Sequence, residues 1–205
     1  MLPRLLVLTD RRQARAGLVA TVAAAVDAGA RAVVLREKDL AAEARGQLAG
    51  ALRELLDPVG GTLLLAGADV EVVRAADAGG LHLAATDAMP PTGTAPMVGR
   101  SCHDADDVRR ACAEGVDYVT VSPVFASPSK PGYGPALGPP GLAEAVAAAP
   151  VPVYALGGVS AASAGACLGA GAAGVAVMGA VMAAADPAAA TAGLLAALMA
   201  PAQCR

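Results

Sequence analysis

Eight short apolar runs, bounded by glycine and separated by alanine-rich stretches, constrain this chain more than any other feature. They cover residues 5–9, 32–36, 62–66, 80–83, 97–101, 118–122, 152–156 and 174–178. Each shows little polar/apolar alternation, the pattern of strands buried on both faces of a parallel sheet. Helical stretches cover 14–28, 40–56, 69–78, 103–114, 141–149, 160–168 and 187–199, while the fourth connection, 87–96, reads as loop. Asp104, Ser160 and Asp186 are placed to cap helix N-termini, Pro187 suits a first helical position, and Gly29, Gly115 and Gly171 follow helix ends. The alternation predicts an α/β (β/α)8 TIM barrel. A doubly wound open sheet is the alternative, though it usually has fewer strands. A chain of 205 residues suits one barrel, so a single domain is expected over 1–205.

Composition removes several function classes. With 56% hydrophobic and 16% charged residues the chain has the material for a core, and its 24 Gly and 15 Pro follow no short period. No stretch of about 20 apolar residues lacks glycine, proline or a charge, which argues against a membrane span. A net charge of -3, with no Lys/Arg run longer than a pair, gives no footprint for nucleic acid or an anionic membrane. The four cysteines show no CxxC or Cys/His ligand spacing, and MLPRLLVLTD is too short for a signal core. Reduced thiols and a cytoplasmic location are expected, and assembly into a homo-oligomer is left open.

Barrel chemistry sits at the carboxyl ends of the strands. There, Gly157-Gly158 precede a helix start and Met178-Gly179 open the eighth connection, so the two turns read as a phosphate cradle built from backbone N–H groups. After strand 2, Arg36 and Lys38 share one side and Glu37 the other, which aims two cations at an anion. A salt bridge at the rim is the competing reading. After strand 6, Ser127, Ser129 and Lys130 lie between prolines and before glycines, as in a lid whose lysine reaches developing negative charge. His103 and Cys102 follow strand 5 at a helix start, where either could move protons and the thiol could be activated. His82, inside an apolar strand, reads first as a hydrogen-bonded core histidine and second as a catalyst. Asp87 is the isolated acidic candidate for a metal.

In register along almost the whole chain, LVLTDR, VVLREK, GGLHLAATD, GRSCH, DYVTVSPVFASPSK, VYALGGV and GVAVMGAV resemble the thiamine phosphate synthase and thiazole tautomerase (TenI-like) superfamily of phosphate-binding TIM barrels. The resemblance implies thiazole-phosphate contacts at Gly157, Gly158, Met178 and Gly179. It implies loop hydroxyls and a lysine at Ser127, Ser129 and Lys130, cations at Arg36 and Lys38, and a strand-5 serine at Ser101.

The pyrimidine half departs from the synthase pattern. Where a synthase has a glutamine before the basic pair and Asn-Asp after strand 3, this chain has Val34, Gly67 and Ala68. Its glycine-glutamine-acid reads Ala84-Ala85-Thr86, leaving Asp87 as the metal carboxylate, and the histidine that some tautomerases carry after strand 6 is Pro123. The expected function is therefore a thiazole phosphate tautomerase, shifting a proton to give the aromatic thiazole with no cofactor, using His103, Cys102 or Lys130. The alternative is a divergent thiamine phosphate synthase with Mg²⁺, joining thiazole phosphate to aminopyrimidine diphosphate. A non-catalytic binder of thiamine-pathway phosphates is a further alternative.

Overall fold

The computed structural model describes residues 2–126 and 135–200. Eight parallel strands close into a barrel in sequence order: β1 (Leu5–Leu8), β2 (Ala32–Leu35), β3 (Thr62–Ala66), β4 (Gly80–Leu83), β5 (Val98–Cys102), β6 (Tyr118–Val121), β7 (Val153–Leu156) and β8 (Gly174–Val177), with β8 returning to β1. The flatness of the hydropathy pattern now has a cause, since alternate residues of each strand enter two different apolar layers. Leu5, Val7, Val33, Leu35, Leu63 and Leu65 point outward to the helices, while Leu6, Leu8, Val34, Leu64, Tyr118 and Tyr154 fill the barrel. The two tyrosine rings meet edge-on at 5.9 Å inside it. Gly99 makes room for them, because a Cβ there would stand 2.1 Å from the Tyr118 ring.

The helices are α1 (Leu18–Asp27), α2 (Ala42–Leu56), α3 (Val70–Ala75), α4 (Ala105–Ala113), α5 (Gly138–Ala147), α6 (Ala161–Gly169), α7 (Gly179–Met182) and α8 (Pro187–Met199). The expected caps act as such. Asp104 accepts from Asp107 N–H at 2.7 Å, Asp186 from Ala189 N–H at 2.9 Å, and Ser160 forms a capping box with Ser163. Asp69, expected inside the third helix, instead caps it by accepting from Val72 N–H.

Several bounds differ from expectation, among them α5, which starts at Gly138, three residues before the expected 141. Helix α1 begins four residues later than its alanine pattern suggests, because Gly17 at φ 84° breaks the run. β5 runs one residue later, through Cys102. A single-turn helix, α7, fills the eighth connection just beyond Met178, too short to leave a periodic signature. The connection between β4 and β5 contains no helix, as expected. Among the described residues no helix is long and apolar enough to cross a membrane.

Candidate active site

The carboxyl ends of β1 and β2 are tied together by a buried carboxylate. Glu37, buried just beyond β2 between Arg36 and Lys38, accepts from the Thr9 hydroxyl at 2.9 Å. It also accepts from the backbone N–H of Arg11 at 3.0 Å and from its guanidinium at 2.8 Å. Arg11 then forks onto Asp39 at 2.7 and 2.8 Å, and this holds the Asp39 carboxyl down at about 2. Thr9 Oγ1 accepts in turn from Arg36 N–H at 2.8 Å. The positions of Arg36 and Lys38 are thus set by a hydrogen-bonded platform beneath them. The links of Thr9 and Arg11 to Glu37 span more than 25 positions and leave no local signal in the sequence.

Lys38 reaches across to the turn after β4, where its Nζ donates to Asp87 Oδ2 at 3.3 Å. The candidate anion-binding lysine and the candidate metal carboxylate are therefore one ion pair. Partial burial pulls the Asp87 carboxyl upward, but the Ala84 N–H at 2.7 Å and the Lys38 ammonium outweigh it and leave it below the usual carboxylate range. At the end of β3, where Gly67 follows, Arg45 donates to Ala66 O at 2.9 Å. Among the described residues no three His, Cys, Asp or Glu side chains converge as a metal ligand set. Asp87 offers one carboxylate, which suits a Mg²⁺ ion carried largely by a ligand's own phosphates rather than a protein cage.

Below the mouth lies a polar cluster inside the barrel. His82 is buried, with Nδ1 2.9 Å from the Tyr118 hydroxyl and Nε2 3.0 Å from Ser101 Oγ. Burial, then the Lys38 charge, pushes its pKa down to about 4, so the ring is neutral at pH 7. The reading of His82 as a hydrogen-bonded core histidine holds, yet its partner is the candidate site serine. Sequence alone did not connect the two.

His103 stands where β5 meets α4. Its N–H donates to Asp107 Oδ2 at 2.8 Å, and its ring Nδ1 lies 2.7 Å from the Ser122 carbonyl, so Nδ1–H donates across to the end of β6. Cys102 requires a correction. It is the last β5 residue on the outward parity, fully buried against the helices, and burial pushes its thiol up to about 12. Proximity to a helix start is outweighed by an apolar wall, and the geometry gives no reactive thiolate.

On the far side, the turns after β6 and β7 are zipped together. Val124 N–H donates to Leu156 O and Phe125 N–H to Gly157 O, each at 2.9 Å. Gly157 and Gly158 have φ of 90° and 65°, and a Cβ on Gly158 would stand 2.4 Å from Ala126 O. Both glycines are thus required by left-handed backbone and by close packing. They lead to Ser160 at the start of α6, while Met178 and Gly179 open α7, so two helix starts with outward N–H groups follow adjacent strands. Ser127, Ser129 and Lys130 lie outside the described residues.

A closed (β/α)8 barrel with cations after β2 and glycine turns after β7 and β8 defines a class, the barrel enzymes that gather phosphorylated small molecules at the carboxyl mouth. Comparison with known proteins narrows it. Residues 5–181 match the family described as thiamine monophosphate synthase. A Geobacter sulfurreducens protein provisionally named thiamine-phosphate synthase is 40% identical over 181 residues, covering 85% of this chain and 84% of that one. The thiamine-phosphate synthase of Roseiflexus castenholzii is 39% identical over 178 residues, covering 84% and 78%. The structure of thiamine phosphate pyrophosphorylase from Pyrococcus furiosus superposes with a TM-score of 0.85 at 29% identity over 95% of each chain. This chain belongs to the thiamine monophosphate synthase family and is an enzyme of thiamine biosynthesis. The relatives' names favour the synthase, the alternative in the sequence reading, over the tautomerase that led it.

Proposed function

We propose that the enzyme is a thiamine-phosphate synthase. It joins a thiazole phosphate to an aminopyrimidine diphosphate by forming a bond from the thiazole nitrogen to the pyrimidine's exocyclic methylene carbon. The carbon–oxygen bond to diphosphate breaks, and its electron pair leaves with diphosphate. The observation that carries this reading is the pairing of two anion-friendly regions at one barrel mouth: Arg36 with the Lys38–Asp87 pair after β2 and β4, and the glycine turns after β7 and β8. A transfer between two phosphorylated partners needs both.

In this reading the N–H groups around Gly157, Gly158, Met178 and Gly179 hold the thiazole phosphate, and Arg36 and Lys38 meet the diphosphate. Ser101, held from below by neutral His82, orients the ring between them. Ser127, Ser129 and Lys130 are assigned to covering the reacting groups, with the lysine aimed at leaving-group charge. Mg²⁺, held by Asp87 and the substrate's own diphosphate oxygens, would neutralise charge on the leaving group when bound.

The tautomerase is the second reading, favoured by Gly67 and Ala68, which supply no side-chain donor or carboxylate after β3. His103 or Lys130 would then move the proton; the buried Cys102 thiol is set aside.

The test supplies purified protein with thiazole phosphate, aminopyrimidine diphosphate and Mg²⁺, and separately with the dihydrothiazole carboxylate phosphate alone, and follows both by NMR. Coupled product with stoichiometric diphosphate is expected, and chelation of Mg²⁺ should suppress it. Aromatisation in the second tube without coupling in the first would replace the synthase with the tautomerase.

A further inference from the structure

We propose that Arg100 is a positioning residue, a buried guanidinium that fixes the turn after β4 and so aims Asp87, and through it Lys38, at the barrel mouth. Arg100 is the only Lys, Arg, Asp or Glu in the eight strands. It lies on β5 between Val98 and Cys102, on the outward parity that elsewhere carries aliphatic side chains against the helices. An isolated charge there is costly to bury and calls for partners.

Those partners belong to one turn. Arg100 Nη1 donates to Ala84 O at 3.1 Å, Ala85 O at 3.1 Å and Asp87 O at 2.8 Å. Nη2 pairs with Glu114 Oε2 at 2.7 Å, at the end of α4. The Nε atom is buried with no hydrogen-bond partner, so the arrangement is not the one that would best stabilise the fold alone. Side-chain packing adds little to hold the turn, because Ala84 and Ala85 are small and Thr86 is exposed. From the mouth side, Asp87 Oδ2 accepts from Ala84 N–H at 2.7 Å and from Lys38 at 3.3 Å, and Asp87 N–H returns to Ala84 O at 3.2 Å. The turn is thus gripped from behind by a cation spanning three carbonyls and locked in front by the carboxylate it presents.

Loss of Arg100 should release Asp87 and Lys38 while sparing the glycine turns of β7 and β8. The choice of diphosphate as ligand rests on the synthase reading; the clamp itself does not. The experiment compares wild type, Arg100→Met, Arg100→Lys, Asp87→Asn and the double variant Arg100→Met/Asp87→Asn. Inorganic diphosphate with Mg²⁺ is titrated by calorimetry, and amide hydrogen exchange is read across residues 84–87. In Arg100→Met, exchange across the turn should quicken at least tenfold and the diphosphate Kd should rise about tenfold, with thiazole phosphate affinity within twofold of wild type. Arg100→Lys, which keeps the charge but cannot span three carbonyls, should fall between and serves where the methionine variant folds poorly. The double variant should be no worse than the weaker single within about twofold, since both remove the same presentation of Asp87.

Multiplying defects in the double variant, or equal losses for both ligands, would reduce Arg100 to general packing and overturn the proposal. Wild type that binds no diphosphate would overturn the synthase reading. Exchange at 84–87 would then decide alone, and unchanged protection in both Arg100 variants would overturn the clamp.

Discussion

His82 shows how far one buried side chain can tie the site to stability. Its neutral ring is held between the Tyr118 hydroxyl and Ser101, and its pKa of about 4 lies below the unfolded value of 6.5. Between those values the unfolded chain binds more protons than the folded one, so stability rises with pH through that window and is lost as pH falls from 6.5 toward 4. From pH 7 to pH 5 this group alone should remove about 2 kcal/mol. Urea unfolding of wild type and His82→Gln at both pH values measures it; an equal pH slope in the two proteins would remove His82 as the cause. At the mouth, Arg36→Ala should cost about 1.5 to 3 kcal/mol of diphosphate binding, a rise in Kd of one to two decades. Calorimetry with inorganic diphosphate and Mg²⁺ checks it, and unchanged affinity would reassign Arg36 to the rim. The residue types at strand ends were legible in the sequence because the barrel rule selects them. Their partners were not: Glu37 with Arg11, Lys38 with Asp87 and His82 with Ser101 are each at least 19 positions apart. Cys102 was misjudged for a related reason, since closeness to a helix start can be read from sequence but the parity that buries the thiol depends on where β5 ends.

Among the elements, the turn after β7 carries the sharpest requirement. Gly158 has φ of 65°, and an added Cβ would meet Ala126 O at 2.4 Å and Phe125 O at 2.7 Å, both backbone atoms that cannot step aside cheaply. Gly158→Ala is therefore expected to cost about 1 to 3 kcal/mol through strained backbone and displacement of the β6 turn. Thiazole phosphate affinity should fall with it. Chemical unfolding and a thiazole phosphate titration check the pair of effects. A variant as stable as wild type would mean that the β6 and β7 turns can part without loss. The glycine doublet was visible in the sequence as a turn, but its second role, leaving room for the neighbouring turn, needed the register of β6 against β7. The strands were the most legible elements because eight apolar runs admit few closures. Helix starts marked by Asp104, Ser160 and Asp186 were legible through their caps, whereas α7 has one turn and no period to read.

At the scale of the whole molecule, the two anion-friendly regions sit on different strands of one closed barrel, so ligands at each should add their effects on a shared unfolding transition. A ligand at a hundred times its Kd stabilises the folded state by about 2.7 kcal/mol. For a domain of this size that corresponds to a rise in Tm of roughly 5 to 11 °C. Thiazole phosphate alone is expected to give such a shift under every functional reading, because the glycine turns do not depend on what happens after β3. Diphosphate with Mg²⁺, added to protein already saturated with thiazole phosphate, separates the readings. A synthase has a second place for it, between Arg36, Lys38 and Asp87, and a further shift of similar size is expected. If diphosphate adds nothing, or displaces thiazole phosphate in a competition titration, the mouth holds a single anion site. The proton-shift chemistry favoured by Gly67 and Ala68 would then be the better account of this enzyme.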